Sequence, residues 1–117
     1  MPREVRRGEI YWVNWDPKRG SEQGGRRPAL VIQNDIGNRV SPNTIVASVT
    51  TAPNKTYPFM VRCTPKESGL HRESVVDLGS IMTIDKSRLE SKCGWLDDAK
   101  MAEVNMAICN SLGLSAI

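Results

Sequence analysis

The hydrophobic pattern of this chain changes its period once, and that change limits the folds available to it. Between residues 9 and 84, apolar and β-branched residues fall in short segments separated by proline, glycine, asparagine and aspartate. From residue 97 onward, the apolar residues recur every three or four positions. The first pattern is typical of short β-strands and the second of an amphipathic helix. The sequence therefore predicts a mainly β, α+β domain with one C-terminal helix.

Six short strands are expected before the helix. They cover residues 9–15, 29–32, 44–51, 57–63, 74–78 and 79–84. Turn-forming residues occupy 34–38 and 65–69, and residues 85–90 can form a single helical turn capped by Asp85. Strands this short and this closely spaced indicate a small, strongly bent sheet or barrel.

The C-terminal segment has the features of a capped helix that covers the sheet. Asp97 or Asp98 can accept hydrogen bonds from the first-turn N–H groups, and Gly113 suits the position after the last turn. The apolar residues expected on its buried face are Met101, Val104, Ile108 and Leu112.

Length and composition exclude several classes of protein. The 117 residues suit one domain spanning residues 1–117, which can bury about two-thirds of its unfolded surface without a metal or disulfide. No apolar run approaches the ~20 residues of a membrane span, and the N-terminus does not resemble a secretory signal peptide. Because of this, no membrane partner is expected. The three cysteines are widely spaced, so we expect reduced cytoplasmic thiols.

The positive charge of the chain is unevenly distributed. Sixteen Lys and Arg against thirteen Asp and Glu give a net charge of +3. Residues 1–39 alone contain eight of the cations and five of the acids. This surplus predicts a phosphate-bearing partner for the first third of the chain.

The polar segment at residues 16–27 is the first candidate site. It contains three glycines and no aliphatic side chain, and connections of this length often have a function. Glycines let backbone N–H groups approach a ligand, and guanidinium groups match phosphate geometry. Arg27 precedes Pro28 at the start of a strand, which suits a charge that stabilises a transition state. On composition alone, a solvated hairpin loop with two surface arginines is the more common arrangement.

Four other positions are weaker candidates. The Thr50 hydroxyl, at the end of a strand, can donate to a phosphate oxygen, although threonine is common there. Trp12 and Trp15 can stack on bases, but at least one of them is expected in the core. His71 is the single histidine; it lies in a turn and is typical of a surface residue.

A far more specific signal lies in residues 7–35, which read RGEIYWVNWDPKRGSEQGGRRPALVIQND. This segment strongly resembles the opening of the MazF/PemK family, the toxins of bacterial type II toxin–antitoxin systems. The resemblance continues at residues 46–51 (VASVTT), 57–59 (YPF), 81–89 (IMTIDKSRL) and 112–114 (LGL). It covers essentially the whole chain, in order and in spacing.

The resemblance implies a compact SH3-like β-barrel of the MazF/PemK/CcdB type, active as a homodimer in the cytoplasm. It implies a sequence-specific endoribonuclease that cuts single-stranded RNA, typically mRNA, without a metal or other cofactor. The products would carry a 2′,3′-cyclic phosphate and a 5′-hydroxyl. A MazE-like antitoxin would neutralise the toxin by laying an extended C-terminal segment over the RNA groove.

The resemblance also implies roles for individual residues. Arg27, Thr50 and Glu22 occupy the usual active-site positions of the family. Glu22 is the candidate base for the 2′-hydroxyl, or it orients Arg27. Further residues expected to contact RNA are Lys18, Arg19, Ser21, Gln23, Gly24, Gly25, Arg26, Thr51, Ser80 and Met82. At the positions of Ser80 and Met82, many members of the family have glutamine and a basic residue. The base preference of this chain is therefore expected to differ from theirs, and one phosphate contact is expected to be missing.

Two other functions compete with this interpretation. CcdB-like toxins share the architecture but poison DNA gyrase through protein contacts, and an SH3-like module can bind RNA without cleaving it. The GSEQGGRRP segment favours the endoribonuclease over the gyrase poison. Arg27 together with Thr50 favours it over a binding module.

Overall fold

The computed structural model describes residues 4–15 and 25–114, and these form a sheet with three helices. The strands in chain order are β1 Glu9–Asn14, β2 Arg26–Val31, β3 Asn43–Thr51, β4 Met60–Cys63, β5 Ser74–Asp85 and β6 Leu89–Trp95. The helices are α1 Asp35–Val40, α2 Pro65–Ser68 and α3 Asp98–Leu112, and Lys86–Arg88 form a 3-10 turn. The prediction of a mainly β domain with a C-terminal helix is confirmed.

All of these strands belong to one antiparallel sheet with the order β4-β5-β3-β2-β1-β6. The hydrogen-bonded ladder is not closed, because β4 and β6 remain its edges. Helix α2 contacts both edge strands. At its C-terminal end Gly69 has a φ of +80°, and a side chain there would collide with the carbonyl oxygen of Cys93 in β6. Helix α2 thus lies between β4 and β6, the two edge strands that would pair with each other in a closed barrel.

Alternation along the strands gives each face of the sheet its own apolar core. The first core contains Ile10, Leu30 and Leu78 and is covered by α3. The second core contains Val13 and Val31 and lies on the other face.

Helix α3 begins and ends at the predicted residues. The Asp97 carboxylate accepts from the Lys100 N–H at 2.8 Å, and Gly113 ends the helix with a φ of +71°. The buried residues of α3 are Met101, Val104 and Ala107. Leu112 was expected on the buried face but is 59% exposed; in the last turn it is Ser111 that faces the sheet, and its hydroxyl donates to the Leu78 carbonyl at 2.7 Å. Of the helices in the described ranges, none is long and apolar enough to cross a membrane.

Both segments interpreted as turns contain short helices instead. Residues 34–38 enter α1, where the Asn34 side chain accepts from the Gly37 N–H at 2.8 Å. Residues 65–69 hold α2, which begins with reciprocal hydrogen bonds between Thr64 and Glu67. The Thr-x-x-Glu spacing of such a capping box is present in the sequence and was the signal for this helix.

The last strands also differ from the prediction. Residues 74–84 form one strand, β5, and not two; a register shift opposite Ala47 and Ser48 lets it bend without ending. Strand β4 begins only at Met60, three residues later than expected. The predicted helical turn after Asp85 is confirmed, but β6 follows it and was missed. Strand β6 reads LESKCGW, and its mixture of polar residues and glycine hides an edge strand from pattern analysis.

A buried carboxylate fastens β1 to β6. Glu9 is 8% exposed. It accepts hydrogen bonds from the Arg6 N–H (2.8 Å), the Tyr11 hydroxyl (2.9 Å) and the Lys92 ammonium (2.9 Å). Burial by itself would raise the pKa of Glu9, but the hydrogen bonds from Lys92, Arg6 and Tyr11 hold it below the ordinary value.

We expect this carboxylate to make the stability of the fold depend on acidic pH. Because the folded-state pKa is lowered, the contribution of Glu9 is complete above the unfolded pKa of about 4.3 and is lost as pH falls through the folded value. The difference in free energy of unfolding between wild type and Glu9→Gln should therefore shrink on acidification, as urea titrations can measure. The exposed Glu4→Gln variant is the control, and a difference for Glu9→Gln that is constant with pH would contradict the expectation.

Candidate active site

A cleft opens where β2 and β3 stop pairing. The ladder between these strands ends at the pair Ala29–Ser48. Arg27 and Thr50 follow in the same register and on the same face, two residues beyond it. The cleft has a volume of about 350 Å³, and both residues line it. The structure thus brings together the two predicted catalytic residues that it describes.

Arg27 is positioned by β-structure. It lies in β2 opposite Val13 of β1, and the following Pro28 lies opposite Trp12. The strand begins at Arg26, earlier than predicted, so Arg27 belongs to the sheet and not to the preceding loop. Its side chain is half-buried. The pairing of β2 with β1 therefore fixes the backbone of Arg27.

Arg26 points to the opposite face, as the alternation of a strand requires. Its guanidinium forms an ion pair with Glu90 and lies within 3.4 Å of the Ser91 hydroxyl. It also lies over the Trp12 ring, 5.2 Å from the ring centroid. These contacts attach Arg26 to β6, and it does not line the cleft that holds Arg27.

The threonines at the end of β3 are exposed in the same cleft. Thr51 pairs with Ser74 of β5, and the next N–H, of Ala52, donates to the Glu73 carbonyl at 2.9 Å. This pairing fixes the strand end. The strand end that carries Thr50 and Thr51, which line the cleft together with Arg27, is therefore fixed by backbone hydrogen bonds of the sheet.

The cleft also contains a histidine that was expected to be an ordinary surface residue and an arginine that the sequence did not single out. His71 and Arg72 line it together with Arg27 and Thr50. They precede β5, and the pairing of Thr51 with Ser74 carries them to this place. No local motif marks them in the sequence; the signal would have been the antiparallel pairing of β3 with β5.

Ser80 and Met82 lie in β5, outside the lining of the cleft. The Ser80 hydroxyl donates to the Asp77 carboxylate at 3.1 Å, and Met82 lies opposite Val46 with 40% of its surface exposed. Their contact with RNA stays a prediction.

Gly25 lies at the C-terminal end of the segment that connects β1 with β2, and it contacts the first residue of that segment. Its φ is +84°, which favours glycine. Its carbonyl accepts from the Trp15 N–H at 2.9 Å, so the two ends of the segment are joined. The other predicted residues of this segment, Lys18, Arg19, Ser21, Glu22, Gln23 and Gly24, lie outside the described residues.

The described lining of the cleft is cationic and rich in hydroxyl groups. Arg27 and Arg72 supply the charge, and Thr50, Thr51 and Ser74 supply the hydroxyls. Guanidinium and hydroxyl donors are suited to bind a phosphodiester. Within residues 4–15 and 25–114, no group of three or more His, Cys, Asp or Glu side chains is placed to hold a metal ion.

Of the three cysteines, Cys63 is buried, whereas Cys93 and Cys109 are partly exposed. Cys63 is 1% exposed in β4, and burial raises the pKa of its thiol to about 11. A thiol in that state is a poor nucleophile, and it lies outside the cleft.

Comparison with known proteins relates the whole chain to one group of toxins. A family model described as PemK-like, MazF-like toxin of type II toxin–antitoxin system matches residues 6–112. The chain is 47% identical over 114 residues to the endoribonuclease MazF of Staphylococcus saprophyticus. That alignment covers 97% of this chain and 95% of the relative.

Solved structures agree with this relationship. A MazE–MazF structure from Deinococcus radiodurans is 33% identical with a TM-score of 0.76, covering 97% of this chain and 99% of that one. An endoribonuclease in complex with its cognate antitoxin from Mycobacterial species is 26% identical with a TM-score of 0.81 and the same coverage of each chain.

Proposed function

Because the chain belongs to the family of PemK-like, MazF-like toxins of type II toxin–antitoxin systems, we propose that it is an endoribonuclease toxin, an mRNA interferase. It cleaves single-stranded RNA at a specific sequence and needs no metal or other cofactor. The observation that carries the proposal is the cleft between the ends of β2 and β3, where Arg27 lies beside Thr50. An arginine and a hydroxyl held there by the sheet are arranged to bind a phosphodiester.

The reaction begins at the RNA itself. The 2′-oxygen attacks the adjacent phosphorus in line with the 5′-oxygen, the bond from phosphorus to that oxygen breaks, and a 2′,3′-cyclic phosphate and a 5′-hydroxyl result. Negative charge develops on the non-bridging oxygens in the transition state. The guanidinium of Arg27 and the hydroxyl of Thr50 donate hydrogen bonds to these oxygens, more strongly in the transition state than in the ground state.

A base must remove the proton of the 2′-hydroxyl. Arginine is poorly suited, because its guanidinium holds its protons throughout the physiological range. We propose Glu22, whose position in the family's GSEQ segment supports this role. The in-line geometry requires adjacent bases to unstack, which favours single-stranded substrate.

The remaining residues proposed to contact RNA surround this centre. Thr51 lines the cleft, and Gly25 directly follows residues 16–24. The others are Lys18, Arg19, Ser21, Gln23, Gly24, Arg26, Ser80 and Met82. The Arg26 guanidinium, which forms an ion pair with Glu90, would bind a phosphate of the RNA outside the cleft. We therefore propose that Arg26 positions the RNA and takes no part in the chemistry.

The proposed partners and location follow the family. The toxin acts in the cytoplasm as a homodimer, and a cognate MazE-like antitoxin neutralises it. Antitoxin complexes of similar chains from Deinococcus radiodurans and Mycobacterial species support this partner.

Cleavage of a long single-stranded RNA in the presence of EDTA tests the function. We expect cuts at one recurring sequence, with 2′,3′-cyclic phosphate and 5′-hydroxyl ends, identified by sequencing and by end-specific enzymes. Absence of cleavage, or loss of cleavage when EDTA is added, would refute the proposed reaction. Trapping of gyrase on DNA by the protein would favour the CcdB-like alternative, which the relatives named above do not support.

A further inference from the structure

His71 lies where the proposed reaction needs a proton. It is the single histidine of the sequence and lines the same cleft as Arg27 and Thr50. The 5′-oxygen that leaves phosphorus must be protonated, and the mechanism above assigns no residue to this step. The inference that follows rests on the proposed function and deepens it.

The segment before His71 is anchored in the fold. Leu70 packs against the first core, and its N–H donates to the Ser68 hydroxyl at 3.0 Å. The buried Ser68 ends α2, and the following Gly69 lies against β6. The backbone that leads to His71 is therefore fixed by packing and by hydrogen bonds.

The segment after His71 is anchored as well. Ser74 is 4% exposed and pairs with Thr51, and its hydroxyl donates to the Arg72 carbonyl at 3.0 Å. The His71 side chain itself is exposed. The backbone of His71 is thus fixed next to the strand end that carries Thr50, and its imidazole is accessible to RNA.

The other polar groups in the described lining of the cleft are poor proton donors. Arg27 and Arg72 carry guanidinium groups, which hold their protons in proteins. Thr50, Thr51 and Ser74 carry alkyl hydroxyls, which bind phosphate oxygens but do not ionise near neutral pH. Imidazole is the side chain that ordinarily changes its charge between pH 5 and 8, as a general acid at neutral pH must.

We propose that His71, as an imidazolium, is the general acid that protonates the leaving 5′-oxygen. The 2′-oxygen loses its proton to the base and forms its bond to phosphorus. The bond between phosphorus and the 5′-oxygen breaks as the N–H proton of His71 passes to that oxygen. Neutral imidazole and the protonated base remain, and exchange with water restores both.

The charged groups near His71 are suited to bind the substrate in the cleft. Arg27 and Arg72 are the charged residues in the described lining. Glu73, next along the chain, forms an ion pair with Arg62 at 2.5 Å. A phosphodiester bound by the two guanidinium groups would bring its leaving oxygen into the cleft that His71 lines.

A substrate that needs no acid tests the proposal. An RNA oligonucleotide containing one mapped cut site is prepared with either oxygen or sulfur at the bridging 5′ position. A thiolate leaves without protonation. We expect His71→Gln to lower kcat about 10²–10⁴-fold on the oxygen substrate and to cleave the sulfur substrate at nearly the wild-type rate. The alkaline decline of kcat on the oxygen substrate should also be absent in the variant.

Arg72→Gln is the matched control, because it changes the neighbouring residue of the same cleft. Arg72→Gln should slow the cleavage of both substrates by the same factor. Thermal unfolding checks that each variant is folded. The assignment would be overturned if His71→Gln lowered kcat equally on both substrates, or if this variant cleaved the oxygen substrate at the wild-type rate. Failure of the wild-type protein to cut either substrate would overturn the proposed function, and this assignment with it.

Discussion

An Arg27→Lys variant is expected to cleave RNA about 10²–10³-fold more slowly than the wild-type protein. Lysine keeps the positive charge but cannot present two parallel N–H donors to the non-bridging oxygens. Since the interaction strengthens as negative charge builds on phosphorus, the loss should appear in kcat, with a smaller change in KM. Single-turnover cleavage of an oligonucleotide with one cut site separates these two parameters.

The neighbouring Arg26 provides the matched comparison. It follows the same loop, but its side chain points to the other face and contacts Glu90 and Trp12. Arg26→Lys should therefore change KM modestly and leave kcat within a few-fold of wild type. An Arg27→Lys variant with wild-type kcat, or equal losses in kcat for the two variants, would remove Arg27 from its central role.

The elements that the sequence predicts best are those with a strong internal pattern. Strand β1 alternates along its length, β3 is β-branched and apolar, and α3 has a cap at each end, at Asp97 and Gly113. In each case, local preference and burial favour the same structure.

The elements that were missed depend on distant partners or on caps that were not recognised. Strand β6 is polar and forms because β1 offers it an edge. Helix α2 has four residues and is marked only by the spacing of Thr64 and Glu67. Strand β5 passes through Gly79 because its pairing with β3 continues on both sides of the register shift.

The candidate site likewise contains residues that a local motif identifies and residues that only long-range pairing brings to it. Arg27 and Thr50 were identified from the family motif, and the register of β2 and β3 now places them side by side. His71 and Arg72 belong to no motif and are distant from Arg27 in sequence. They reach the cleft because Ser74 pairs with Thr51, and a long-range pairing of this kind leaves no local signal.

The central claim is that the RNA supplies its own nucleophile and that the cleft stabilises the attack. Its most direct test is an oligonucleotide with a single 2′-deoxynucleotide on the 5′ side of the mapped cut site. We expect no cleavage of that bond under conditions in which the all-RNA strand is cut completely, while binding to the Arg27→Ala variant is the same for both strands. Cleavage of the 2′-deoxy strand at the wild-type rate, leaving a 5′-phosphate or any other end, would contradict the mechanism.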